Sequence, residues 1–183
     1  ISGIYFAFNK IELVRGEQYR LTESFPVNFN EVNFSRSDVY QIKAIKRLDE
    51  IIFVVNASKG TEYLNALGTP VSKLSKSEVF EIVSSSSTLE PIDLEEISES
   101  SKGSEFRGRD LPLYKVTSLN DKDKKINLYL NVFPGEITAV RSLQWRIWDL
   151  MWGFHIMDWQ TRDKINNISV SYTHLRAHET GND

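Results

Sequence analysis

"GTEYLNALGTPVSKLSKSEVFEIV", residues 60–83, carries the reading that decides the fold. It begins as a strand and ends as a helix. Thr61 to Leu67 reads as a β-type run after a glycine turn. Ser75 then stands as a helix N-cap, with Glu78 three residues on to complete a capping box. Leu74 before the cap and Val79 after it are spaced for a hydrophobic staple. Val79, Ile82 and Val83 share one apolar face. The serine run Ser84 to Ser87 should stop the helix, because serine hydroxyls compete for backbone hydrogen bonds.

Strands lie on both sides of this segment. "VYQIKAIKRL" (Val39 to Leu48) alternates in part, with Ile42, Ala44 and Leu48 on one side and Lys43, Ile45 and Arg47 on the other. "IIFVV" (Ile51 to Val55) is a short β-rich run after an Asp49-Glu50 turn, and Ala57 to Gly60 makes the next turn. Three strands with short connections imply an antiparallel meander. Downstream, Ile92 to Ile97, Leu111 to Leu119, Ile126 to Phe133 and Glu136 to Ser142 read as strands. Pro134-Gly135 forms a turn between the last two. Ser98 to Asp110 is polar and glycine-containing, hence a long exposed loop. The class is α+β.

The two halves repeat one another. "EYLNALGTPVSKL" (Glu62 to Leu74) matches "LYLNVFPGEITAV" (Leu128 to Val140). Each gives Tyr-Leu-Asn, an apolar residue, a glycine turn and a β-branched run, which suggests two copies of one small unit.

Bulk composition narrows the function classes. The chain has 183 residues, 40% hydrophobic and 26% charged, enough for one medium domain or two small ones. A net charge of −3 gives no bulk case for a nucleic-acid partner. Cysteine is absent, which excludes disulfides, thiolate metal sites and cysteine nucleophiles. The sequence contains no nucleophile elbow, phosphate loop or acid/base dyad in a familiar setting. The opening "ISGIYFAF" is too short to span a bilayer, which takes about 20 apolar residues. It is read as a core strand or as the end of a truncated transmembrane helix, residues 1–8, and the absent Met favours the helix.

All four tryptophans lie in "WRIWDLMWGFHIMDWQTRDKINN". Trp145, Trp148, Trp152, His155 and Trp159 follow one another at offsets of three, four, three and four, one continuous helix face. Ile147, Leu150, Met151, Phe154 and Met157 lie on the other side, while Arg146, Asp149 and Asp158 interrupt. Indole rings favour the interfacial zone of a bilayer, so Trp145, Trp148, Trp152 and Trp159 are the expected membrane-interface residues. The alternative is a core helix packed on the sheet. Spacing alone reads His155 as a hydrogen-bonded interface histidine rather than an axial haem ligand.

Taken in order, residues 60–83, residues 111–142 ("LPLYKVTSLNDKDKKINLYLNVFPGEITAVRS") and the tryptophan segment resemble membrane-anchored PepSY-domain proteins, over roughly Ile1 to Ile168. The resemblance implies a first β-rich repeat over 9–72, a second repeat over 73–143 with a helix then strands, and an aromatic juxtamembrane helix over 144–169. The first repeat's own helix is expected around Asn30 to Asp38, where the periodicity is poor. By the same resemblance the chain is a non-catalytic binding or sensory module, outside the cytoplasmic membrane of a bacterium. Its partners are the lipid bilayer and other membrane or peptidase proteins. Some members look like haem-bearing transmembrane reductases of iron uptake. His155 matches a histidine near the start of a membrane helix there, so haem is a cofactor reading for the full-length protein and none is expected in this segment. Other members resemble peptidase-inhibitory propeptides.

The tail "VSYTHLRAHETGND" (Val170 to Asp183) holds His174 and His178 at a spacing that would suit a metal clip on a helix. Val170 to Thr180 also back-translates without a mismatch into what looks like the reverse complement of a transposase sequencing adapter. Residues 170–183 are therefore read as a library artefact, no metal site is expected, and His155 is the histidine left to consider.

Overall fold

A computed structural model describes residues 2–22, 24–27, 32 and 37–156. Contacts divide the chain into two units that do not follow sequence order. One gathers 19–99 with 109–140, and the other joins 2–18, 100–108 and 141–156.

The first unit holds two antiparallel sheets and a helix. β1 (Val39–Arg47), β2 (Glu50–Ala57) and β3 (Gly60–Leu64) form the expected meander in the order β1-β2-β3. The turn between β1 and β2 falls on Leu48 and Asp49, one residue earlier than the acidic pair suggested, with Leu48 at φ 53°. β2 is central and hydrophobic on both faces, so Ile52, Phe53 and Val55 are all buried. Phe53, Val55 and Leu64 make a small core with Val27, Val39 and Ala44.

Helix α3 (Lys76–Ser86) follows, with its capping box complete. Ser75 Oγ accepts the Glu78 amide at 3.4 Å, and the Glu78 carboxylate accepts from the Ser75 amide at 2.7 Å. Leu74 and Val79 are both buried, as a staple requires. The serine run ends the helix as expected: α3 stops at Ser86 with Ser87 as its C-cap, and serine hydroxyls satisfy the last carbonyls. Ser85 donates to the Ile82 carbonyl at 3.1 Å and Ser87 to that of Val83 at 2.7 Å.

The second sheet has the order β4-β5-β6-β7, from β4 (Glu90–Ile97), β5 (Leu113–Leu119), β6 (Lys125–Asn131) and β7 (Ile137–Arg141). Register pairs Tyr114 with Leu130, Val116 with Leu128 and Ser118 with Ile126. These positions share one face by the two-residue period, and Val79, Ile82 and Val83 of α3 pack on it as the main core. Each such buried aliphatic side chain stabilises by about 1.5–3 kcal/mol. The buried Tyr114 hydroxyl donates to the Leu74 carbonyl at 2.7 Å, and burial pushes its pKa up. Edge strand β4 carries Glu90, Asp93, Glu95 and Glu96, charges that discourage edge-to-edge pairing.

The repeated Tyr-Leu-Asn closes a turn in both sheets. Asn65 follows β3, and its Oδ1 accepts the amides of Leu67 and Thr69 at 3.0 and 2.9 Å. Asn131 ends β6, and its Oδ1 accepts the amide of Phe133 at 3.1 Å. Each turn ends on a left-handed glycine, Gly68 at φ 76° and Gly135 at φ 72°. The second turn is one residue longer, since Gly68 bonds back to Asn65 across three residues and Gly135 to Asn131 across four. The two copies also touch. The Tyr63 ring stacks on Phe133 at 4.7 Å, and Asn131 Nδ2 donates to its hydroxyl at 3.0 Å.

Arg47, which alternation places with Lys43 and Ile45 on one side of β1, is buried, only 4% exposed. Its guanidinium donates to the Ser72 carbonyl at 2.9 Å and to Glu78 at 3.3 Å, tying the first sheet to the start of α3. The first repeat's expected helix lies mostly outside the described residues; Ser37 and Asp38, which are described, are bends.

The second unit is helical. α1 (Ser2–Phe8) settles the opening segment as helix rather than strand, and α2 (Ile11–Arg15) follows it. α4 (Leu143–His155) is the aromatic helix, and α1 and α2 both pack on it. Among the described residues no helix is long and apolar enough to cross a membrane.

Candidate functional site

Helix α4 starts directly after β7, where Ser142 caps it by accepting the Trp145 amide at 3.2 Å. Its indole face turns inward within the helical unit and divides into two neighbourhoods. Trp145 is buried beneath two guanidiniums, with Arg141 4.1 Å and Arg107 5.6 Å from the ring centroid. Such cation–π contacts strengthen as water is excluded. Trp148 and Trp152 stack on one another at 5.7 Å and 10°. Phe6 of α1 meets both edge-on, at 5.2 and 6.0 Å.

His155 ends the same face. It stacks on Trp152 at 5.8 Å and meets Phe6 at 5.7 Å and 85°. The structure thus brings Trp148, Trp152 and His155 together around Phe6, with Trp145 one turn away among different neighbours. Trp159, His174 and His178 lie outside the described residues. An axial haem ligand needs a slot for the macrocycle beside its ring. His155 itself is exposed, with Trp152 and Phe6 as its ring neighbours. Among the described residues, no group of three His, Asp or Glu could hold a metal ion.

Sequence reading missed the loop that answers the charges of α4. Residues 104–107 are half-buried, not a solvated linker. Glu105 takes Arg146 through two bonds, at 2.5 and 3.3 Å, and its carbonyl accepts from Arg141 Nε at 2.8 Å. Arg107 pairs with Asp149, which is 2% exposed. A buried carboxylate requires such a partner. The signal was present as two opposite charges in an otherwise apolar helix and two complementary charges in "SEFRG".

With its charges engaged, α4 turns Leu143, Ile147, Leu150 and Phe154 outward. Cavities of about 420 and 400 Å³ lie among the described residues of the sheet unit. The first mixes Leu48, Ile82 and Ile137 with Lys46, Glu81 and Glu136. The second sets Pro26, Val27, Phe53 and Leu67 beside Asp49, Glu50 and Asn65. Neither includes a residue of α4.

No family model, curated protein or solved structure matches the chain.

Proposed function

We propose that this chain is a non-catalytic binding or sensory module of PepSY-like build, held at the extracytoplasmic face of a bacterial cytoplasmic membrane. The observation that carries the reading is the state of α4. Its two charges are neutralised by Glu105 and Arg107, its indoles pack inward, and its outward side is apolar. A helix so arranged suits an amphipathic boundary better than open water. The paired Asn65 and Asn131 turns support the two-copy build. The haem-reductase and peptidase-inhibitor alternatives rest on the sequence resemblance alone.

Co-sedimentation with vesicles of bacterial total lipid tests the membrane part. Most of the protein should pellet with lipid, and a protein that stays in the supernatant at every lipid concentration would end the reading. The binding part is tested by retrieving ligands from periplasmic extract with the immobilised chain, against a heat-unfolded control.

A further inference from the structure

Leu143, Ile147, Leu150 and Phe154 are 62%, 43%, 49% and 60% exposed. Their offsets of four, three and four set them in one stripe along α4. The stripe itself contains no charge; beside it, Gln144, Met151 and Gly153 are uncharged and Arg146 is held by Glu105. On α1, within the same unit, Phe8 is also strongly exposed. The described residues of this unit hold six Lys and Arg against four Asp and Glu, although the whole chain is at −3. Its exposed charges are Lys10, Arg15 and Lys102 against Glu12 and Glu17.

We infer that the outward stripe of α4, rather than its tryptophan face, is the contact with lipid, and that it seats in the interfacial layer of an anionic bilayer. The inference rests on the membrane reading above and gives it a face and a lipid class. A second copy of the chain is the competing occupant. Four half-exposed side chains offer only a few hundred Å². A stable protein interface takes about 800 Å² from each partner. Arg146, the charge beside the stripe, is already engaged by Glu105 within the same unit rather than set for a paired helix. A bilayer demands no matching patch, and an anionic one attracts a locally basic unit.

The test uses the full chain with vesicles of phosphatidylcholine alone and of equal phosphatidylcholine and phosphatidylglycerol. The parent should bind the anionic vesicles about tenfold or more tightly than the neutral ones. Ile147→Ser/Phe154→Ser should lose about tenfold or more in binding with an unchanged thermal melt. Leu143→Ser/Leu150→Ser serves as an independent pair. Leu21→Ser, an exposed leucine of the sheet unit, should bind as the parent does. Because the chain has no cysteine, Leu150→Cys with an environment-sensitive dye reads insertion directly as a blue shift. Binding retained by both serine pairs would overturn the stripe and leave the membrane reading standing. Equal binding to both vesicle types would overturn the anionic preference. No binding by the parent would remove both readings. A dimer in gel filtration that either serine pair dissolves would overturn the lipid assignment in favour of a second copy.

Discussion

Replacing Gly135 by Ala should destabilise the sheet unit through two separable effects. At φ 72° the backbone is left-handed, which costs an alanine about 1–2 kcal/mol. The new Cβ would also stand 2.6 Å from Ile82 Cδ1 and 2.9 Å from Leu74 Cδ1, inside the main core. Displacing packed core methyls costs about 1–3 kcal/mol. The sum is about 3 kcal/mol, or a fall of about 6–12 °C in Tm for a chain of this size. Gly108→Ala isolates the backbone effect, since φ is 73° there and nothing lies within 4 Å of the added Cβ. Ile82→Val isolates the packing effect, since it removes the closest methyl at an expected cost of about 0.5–1.5 kcal/mol. In Gly135→Ala/Ile82→Val the two changes should partly cancel, with a coupling of about 1 kcal/mol. Urea unfolding followed by far-UV circular dichroism is the suitable assay, because all four tryptophans lie between residues 145 and 159 and their fluorescence reports elsewhere. Strict additivity in that cycle, to within about 0.5 kcal/mol, would show that the clash is not the cause.

Glu78→Gln should weaken the start of α3 by about 0.5–2 kcal/mol at neutral pH, read by thermal melting. The Ser75 hydroxyl and amide, helped by Arg47, hold the Glu78 carboxyl below its ordinary 4.5. Around that pH the unfolded chain binds more protons, so stability rises with pH, and Glu78's contribution disappears as pH falls through its folded pKa. Melts between pH 3 and 5 should therefore show a shallower pH dependence in Glu78→Gln than in the parent. Arg47→Met should cost about 1–3 kcal/mol, because two charge-assisted bonds are lost from a buried site. Lys43→Met, which breaks an exposed pair with Glu136, should cost under about 1 kcal/mol, and equal losses would refute the distinction. Haem titrated into the full chain should give no Soret shift that depends on His155. A shift abolished by His155→Ala would favour the haem reading instead.

The sequence made local features legible where one residue type admits one explanation. The capping box at Ser75 and Glu78, the leucine staple and the meander of β1 to β3 all follow from spacing within ten residues. The Tyr-Leu-Asn repeat was visible as letters, but its cause, an asparagine oxygen closing a turn, needed coordinates. Features that depend on distant pairing were hidden. The burial of Arg47 was not legible because its partners lie 25 and 31 residues away. The serine run marked the helix end, but how its hydroxyls complete the unfinished carbonyls needed coordinates. The indole spacing identified a helix face correctly, yet periodicity cannot say which face looks inward. Phe6, 142 residues before Trp148, decides that here.

The helical unit is stitched from three stretches, and the hydrogen bond from Gln144 to Asn9 spans 135 residues. Closing a loop of that length is slow relative to forming local strands. On a ribosome, α1 must wait through the synthesis of both sheets before Trp148 and Trp152 exist to receive Phe6. Pulsed hydrogen exchange should find α3 and the β5-β6 pair protected before α1 and α4. Until that late docking, the Phe6 ring lacks the indoles that meet it in the folded unit, and a chaperone or a lipid surface would have to cover it.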